Sequence, residues 1–184
     1  MAYRNTPKLQ FPLKETKKIS SVFRERSIFD KRFWGIHLGI DIDVPAGTEV
    51  FSIGRGVVVY SKLHAGEFSS DGKILKRNWG GIIIIAHKNI KTRNIFYSLY
   101  GHLGKRYLKK GDTVEIGELL GTVGKSMTES NGIWEQEHLH FAIYSGPFHS
   151  KVLPGYYNNE KDIKNLKYWK EPLEFIRKFN PSYV

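Results

Sequence analysis

The 184-residue chain has no cysteine. A disulfide framework and a thiolate metal site are therefore excluded, and any transition-metal site must be built from His, Asp and Glu. Long hydrophobic runs are also absent. The longest aliphatic stretch, Ile82 to Ala86, is far too short to cross a bilayer, so no transmembrane segment is expected. The opening residues, Met1 to Pro7, lack the apolar core of a secretory leader, which implies either no export by the usual route or a trimmed chain. Acidic residues are scarce against basic ones, 18 to 29, giving a formal net charge of +11. An excess of that size favours an anionic partner or matrix. The positive residues are spread along the chain, with local clusters at 14–18, 105–110 and 161–170. That pattern suits diffuse attraction to an anionic polymer better than a specific nucleic-acid site. Low-complexity tracts are lacking, and 40% hydrophobic and 14% aromatic residues supply a core.

The strand signals are short, β-prone and bounded by glycine. Val57 to Tyr60, Ile82 to His87, Ile95 to Tyr100, Lys109 to Val114, Glu118 to Gly124 and His138 to Tyr144 all have this character. Spacing of this kind predicts an all-β fold, an open barrel or sandwich of antiparallel strands. Glu171 to Phe179, with Pro172 in its first turn, predicts a short C-terminal helix. The expected organisation is an N-terminal arm over residues 1–18, a β domain over 19–145 and a C-terminal extension over 146–184. Within it, Arg24 to Trp34, Lys62 to Asn78 and Lys125 to Gln136 read as loops, the second of them with the option of an extended hairpin. Gly146 to Asn158 is also loop-like.

Chemistry concentrates at His138-Leu139-His140. In a strand, positions i and i+2 share a face, so both imidazoles project together while Leu139 and Phe141 turn into apolar packing. Two such imidazoles can share a metal, or one can bind it while the other handles protons. A His-x-His pair also occurs on ordinary strands, so it gains meaning only from other ligands. Ile36 to Val44 alternates strictly, placing His37, Gly39, Asp41 and Asp43 on one face. Along a flat strand His37 and Asp41 would lie about 13 Å apart, too far for one metal. A shared site therefore demands a bend at or near Gly39. His102 follows a strand in Tyr100-Gly101-His102-Leu103.

Taken in order, His37-x-Gly-x-Asp41, Gly101-His102 and His138-x-His140 resemble the lysostaphin-type zinc endopeptidases, the β-lytic metallopeptidase family that cuts peptide bonds in bacterial peptidoglycan. The resemblance extends from about Ile19 to Ile143. It includes Ser21 to Arg26, where the family often has Ser-x-Phe-Gly-x-Arg, together with Val44 to Val50, Gly56 to Val58, Lys110 to Val114 and Gly121 to Gly124. It implies one Zn2+ per chain, with His37, Asp41 and His140 as ligands. It makes His102 and His138 the catalytic imidazoles, peptidoglycan peptides the substrate, and the cell envelope or the exterior the place of action. A cytoplasmic stage before release is the alternative location, and a monomer with a basic surface for anionic wall polymers is the expected state. The alternative function is a non-catalytic wall-binding or amidase-regulating module of the same fold. Position 24 departs from the pattern, with Arg in place of glycine, and the 62–78 and 125–136 stretches are longer than the pattern requires.

Other candidates receive lesser roles. Asp43 competes with Asp41. Glu135 and Glu137 flank the histidine pair, and Glu137 should face away from it. Tyr100, Trp79 and Trp134 read as core or groove-wall residues. His87 reads as structural, and His64 and His149 as surface residues.

Overall fold

The computed structural model describes residues 3–15, 18–29, 31–158 and 163–180. In chain order the strands are Asn5–Thr6 (β1), Ile19–Ser21 (β2), Arg26–Phe29 (β3), Arg32–His37 (β4), Ile40–Asp43 (β5), Glu49–Phe51 (β6), Gly56–His64 (β7) and Glu67–Phe68 (β8). They continue with Ile74–Lys76 (β9), Gly80–Asn89 (β10), Ile95–Arg106 (β11), Thr113–Val114 (β12), Leu119–Val123 (β13), His138–Tyr144 (β14), Tyr156–Tyr157 (β15) and Trp169–Lys170 (β16). One α-helix, Pro172–Phe179 (α1), follows.

The spine of the large sheet runs β12, β7, β10, β11, β14, β5, β2, with β13 bridging β11 and β6. Its pairings are antiparallel except for β1, which lies parallel to β10. The sheet stays open and does not close into a barrel. A second sheet orders β15, β4, β3, and β8 pairs with β9 as a separate hairpin.

Both faces of the large sheet are covered, which explains the unbroken aliphatic run in β10. Ile83 and Ile85 face one core cluster with Val58, Tyr100, Leu139 and Phe141. Ile82 and Ile84 face the other with Leu38, Leu99, Ala142 and Trp169. A strand buried on both sides needs no polar alternation. The first cluster is closed from outside by the N-terminal segment and α1. Leu9 and Leu13 are buried, and the Leu9 amide donates to Asn180 Oδ1 at 3.0 Å. Helix α1 starts where Glu171 caps the Leu173 and Glu174 amides, and it presents Ile176, Phe175 and Phe179 to the sheet.

Three expectations need correction. Arg24 to Trp34 is not a loop: β3 and β4 form a hairpin, with Arg26 opposite Ile36 and Ser27 opposite Gly35. Its dense charges and aromatics have no simple alternation, so period alone could not reveal it. Ile36 to Val44 is not one strand, because β4 ends at His37 in the small sheet and β5 begins at Ile40 in the large one. The break falls at Leu38-Gly39, where the metal-site requirement placed a bend. Within the loop-like 146–158 stretch, Tyr156 and Tyr157 form a strand against His37 and Ile36. Residues 62–64 continue β7 against β10, and the rest of the 62–78 stretch carries the hairpin of β8 and β9.

Candidate metal centre

The register of β14 builds the site. His140 lies directly opposite Asp41 on β5 and opposite Gly101 on β11, while His138 lies opposite Asp43. Leu139, Phe141 and Ile143 point into the first core cluster, so His138 and His140 share the other face. His37 reaches the same point from the end of β4. Its Nε2 is 3.0 Å from His140 Nδ1 and 3.3 Å from Asp41 Oδ1, and Asp41 Oδ1 is 2.9 Å from His140 Nδ1. All three side chains are buried.

The donor chemistry fits a divalent ion. A carbonyl can only accept, so the 3.1 Å contact between His37 Nδ1 and the Val22 carbonyl puts the proton on Nδ1 and leaves Nε2 a lone pair. Ser21 Oγ lies 3.1 Å from the same Nδ1 and itself donates to Glu25 Oε2 at 2.6 Å, steadying the ring. Nε2 of His37, a carboxylate oxygen of Asp41 and Nδ1 of His140 thus converge, with room for at most one proton between them. Ligands about 2.0–2.1 Å from a tetrahedral zinc ion are separated by about 3.3 Å, close to the spacing found. Burial pushes the Asp41 carboxyl upward, but its bonds to His140 and His37 and their charges outweigh that and hold it well below the ordinary range. Burial pulls the His140 imidazole down to about 4, against the opposing pull of Asp41. Asp41 is therefore a carboxylate and His140 a neutral imidazole at neutral pH.

Gly39 makes the convergence possible. A Cβ there would lie 2.5 Å from the Phe141 carbonyl oxygen and 2.8 Å from His140 Nε2. His140 Nε2 is buried against this backbone with no hydrogen-bond partner among the described residues.

His102 comes from a β-bulge. Between Tyr100 and Leu103, β11 carries one residue more than β10 does opposite it, and His102 sits there with φ +61°. A bulge of this kind re-aims a side chain beside a site, here at the cost of a left-handed backbone. The imidazole centroids of His102 and His138 are 4.4 Å apart. His102 Nδ1 donates to the Asn131 carbonyl at 2.9 Å, and His138 Nδ1 to the Gln136 carbonyl at 3.1 Å. Both rings are therefore held with Nε2 as the lone-pair nitrogen. Burial, followed by the neighbouring His138 and His140, lowers the His102 pKa well below 6.5, while Asp41 and the Asn131 carbonyl oppose this.

A cleft of about 150 Å³ opens over these groups. Trp79 lies across its floor, 4.9 Å from the His140 ring and 5.7 Å from His102. Trp34 meets both Trp134 and Tyr156 edge-on, at 6.3 and 6.4 Å. Two long connections are stitched into one wall: the Asn78 amide donates to the Gly132 carbonyl at 3.0 Å, and Trp134 Nε1 to the Asn78 carbonyl at 2.9 Å.

All five residues singled out from the sequence, His37, Asp41, His102, His138 and His140, meet here. Asp43 does not join the cluster; its Oδ2 points toward Lys18 Nζ at 3.9 Å. Glu137 accepts from the Ala46 and Ser126 amides and Glu135 pairs with Arg77, so neither faces the histidines as a base. Tyr100 is buried and its hydroxyl accepts from the Ile53 amide. His87 is enclosed between the Arg55 carbonyl and Ser98, away from the site. His64 is not a plain surface residue, since it bonds the Tyr60 hydroxyl at 2.7 Å. Four groups went unforeseen: Trp34, Arg77, Asn131 and Tyr156. Tyr156 stacks on His37 at 5.0 Å, and burial raises its phenol pKa strongly. No short-range signal marks it, because its partner strand lies far back in the chain.

Fold and site together define a β-walled cleft with a buried His/Asp/His cluster that could hold a metal ion and two further imidazoles at its edge. The chain belongs to peptidase family M23, whose pattern matches residues 35–152. It is similar to an uncharacterized metalloprotease of Buchnera aphidicola, 32% identical over 160 residues, 85% of this chain and 34% of that protein. It is also similar to the peptidoglycan DD-endopeptidase ShyA of Vibrio cholerae, 29% identical over 136 residues, 73% of this chain and 26% of that protein. The chain thus spans only about a quarter to a third of the length of these curated relatives. Among solved structures, a zinc-containing peptidase from Vibrio cholerae matches with TM-score 0.58 and 25% identity, over 83% of this chain and 41% of that one. The catalytic domain of lysostaphin from Staphylococcus simulans shares the fold, with TM-score 0.54 and 22% identity, over 88% of this chain and 92% of that one. The lysostaphin-type resemblance carried by the motifs is met by family and by fold.

Proposed function

We propose that this chain is a zinc-dependent endopeptidase acting on the peptides of bacterial peptidoglycan, in the cell envelope or outside it. One observation carries the proposal. Three lone-pair atoms of His37, Asp41 and His140 converge in a buried pocket, with the Nε2-basic rings of His102 and His138 beside them. Similarity to a zinc-containing peptidase and to a peptidoglycan DD-endopeptidase supports the metal and the substrate. His37 Nε2, Asp41 Oδ1 and His140 Nδ1 would hold one Zn2+. When bound, it supplies a Lewis acid for the scissile carbonyl and acidifies water to a pKa near ~7.

The protein groups handle the proton. Water adds to the carbonyl carbon, and Nε2 of His138 or His102 accepts the proton released. The same nitrogen returns it to the leaving amine as the C–N bond breaks. A neutral imidazole is the required starting state, and burial keeps His102 neutral. Trp34, Trp79 and Trp134 exclude bulk water and leave an extended peptide as the natural occupant. The catalytic unit is assigned to residues 19–145, against which the described parts of the flanking segments pack through Leu9, Leu13 and α1. A monomer suffices for this chemistry, and the basic surface would favour anionic wall polymers.

Metal content of chelator-free protein, read beside clearing of purified peptidoglycan with and without zinc, tests the proposal. About one zinc per chain with chelator-sensitive clearing is the expected result. His140→Ala should lose metal and activity together, and His138→Ala should keep the metal and lose about 10²–10⁴-fold in turnover. Full turnover by the second variant would refute its role in proton transfer.

A further inference from the structure

One wall of the cleft carries a cation that the hydrolytic chemistry does not use. Arg77 lies between β9 and β10, and among the described cleft-lining residues it is the one Lys or Arg. Its side chain is 15% exposed, pairs through Nη2 with Glu135 Oε1, and lies 5.7 Å from the Trp134 ring centroid. Trp134 in turn meets His102 edge-on at 5.9 Å. The order along the wall is therefore His102, Trp134, Arg77, so the guanidinium stands just beyond the imidazoles that serve the leaving amine.

We infer that Arg77 binds a carboxylate on the leaving-amine side of the scissile bond, so that the cleft selects peptides bearing a free carboxylate there over neutral bridges such as oligoglycine. The inference rests on the hydrolytic reading of the same cleft. A guanidinium presents a planar fork of five N–H donors matched to carboxylates. Contact with the Trp134 ring and the pair with Glu135 hold the guanidinium in place before substrate arrives, so little ordering entropy is lost on binding. Glu135 is not an obstacle. Its carboxylate is 56% exposed, and ion pairs with an exposed partner contribute little net stability. A substrate carboxylate can share the fork or displace Glu135, whose position in the free protein marks where such a group docks. A neutral peptide offers Arg77 no charged partner and leaves the existing pair in place. Discrimination then comes from an interaction present for one substrate and missing for the other.

The test uses two synthetic peptides that differ only at the residue supplying the leaving amine, one with a free carboxylate and one with the carboxamide. With zinc-loaded protein, kcat/KM for the carboxylate peptide should exceed that for the carboxamide by at least about 10-fold, mainly through KM. Arg77→Gln should bring the ratio close to one. Arg77→Lys, which keeps the charge but loses the fork, should fall between. Glu135→Gln, which removes the internal competitor, should lower KM for the carboxylate peptide. Equal loss on both peptides in Arg77→Gln would mean that Arg77 only shapes the wall, and would overturn the inference while leaving the hydrolase intact. If the parent protein cleaves neither peptide, the proposed reaction fails, and equilibrium binding of the two peptides then decides. Arg77-dependent preference for the carboxylate sustains the inference, and equal binding overturns it.

Discussion

Gly39→Ala is the most direct perturbation of the proposed centre that leaves every ligand in place. The new Cβ would lie 2.5 Å from the Phe141 carbonyl oxygen, 2.8 Å from His140 Nε2 and 3.0 Å from the Ala142 Cβ. Restoring an ordinary contact of 3.4 Å to that carbonyl requires a shift of about 0.9 Å between the β4–β5 junction and β14. Neither side can yield by changing a rotamer, because the clash is with backbone and with a buried ring. The ligands His37 and Asp41 flank this junction and His140 is on the other side of it, so the shift spreads the ligand atoms. A metal site tolerates about ±0.2 Å in its bond lengths. Zinc affinity should fall about 10²-fold, and turnover by a similar factor, since a misplacement of about 1 Å costs that much. Thermal unfolding with and without saturating zinc checks this. A 10²-fold weaker site forfeits about 2.7 kcal/mol of zinc-linked stabilisation, or roughly 5–10 °C of the zinc-induced rise in Tm for a chain of this size. Gly47→Ala is the control. It has φ +84° but nothing within 4 Å of the added Cβ, so it should cost about 1 kcal/mol and leave the zinc-induced rise unchanged. If Gly39→Ala retained both the rise and the turnover, the ligand assignment at this junction would be wrong.

Other expectations follow from groups around the site and beneath it. Burial pulls the His87 imidazole down to about 4, opposed in part by the Arg55 carbonyl. Its folded pKa is below the unfolded value, so its neutral form contributes stability that is full above about pH 6.5 and is lost as pH falls toward 4, about 3 kcal/mol in all. Urea unfolding of the parent and of His87→Gln across that window should show a steeper acid loss in the parent, and parallel curves would refute it. Asn131 accepts from the Trp134 amide through Oδ1 and donates to the Gln136 carbonyl that holds His138, so Asn131→Leu should keep its zinc and lose about 10–10²-fold in kcat. Zinc content measured beside kcat separates this from a loss of metal. Arg24 has φ +65°, which accounts for the glycine usual at this place in the family pattern. Arg24→Gly should therefore gain about 1 kcal/mol and raise Tm by about 2–4 °C in a calorimetric scan.

What could be read from the sequence divides along a physical line. His138 and His140 were legible because strand geometry has a fixed period, and Leu139 and Phe141 enter the core as that period requires. The break at Leu38-Gly39 was legible as a requirement, because His37 and Asp41 cannot meet on a flat strand. The ends of β4 and β5 in different sheets meet that requirement. The β3–β4 hairpin was not legible. Its residues are charged and aromatic on both faces, and the hairpin is held in place by β15, which comes from far along the chain.

Trp79 and Trp134 were legible as core or groove-wall residues and do line the cleft, but Trp34, Arg77 and Tyr156 escaped for a related reason, and the difference bears on function. Ligands and imidazoles sit on sheet strands, where register with neighbours fixes position: His140 opposite Asp41, and Gly101 opposite His140. The wall comes instead from connections, 62–79 and 125–137, which are locked to each other by the Asn78–Gly132 and Trp134–Asn78 bonds. Neither connection has a periodic pattern, since each is shaped by the other. They also hold the rings proposed to move the proton, because the carbonyls of Asn131 and Gln136 accept from Nδ1 of His102 and His138. Arg77 and Trp134 belong to the same two connections. On the proposed reading, residues that choose the substrate are thus joined by a few hydrogen bonds to residues that move the proton, while the proposed ligands come from strand ends and registers below them, His37 from β4 and Asp41 and His140 from β5 and β14. On that reading, sequence changes in these connections should alter substrate choice with little effect on metal affinity, whereas changes at Gly39 or in β14 should act on the metal first.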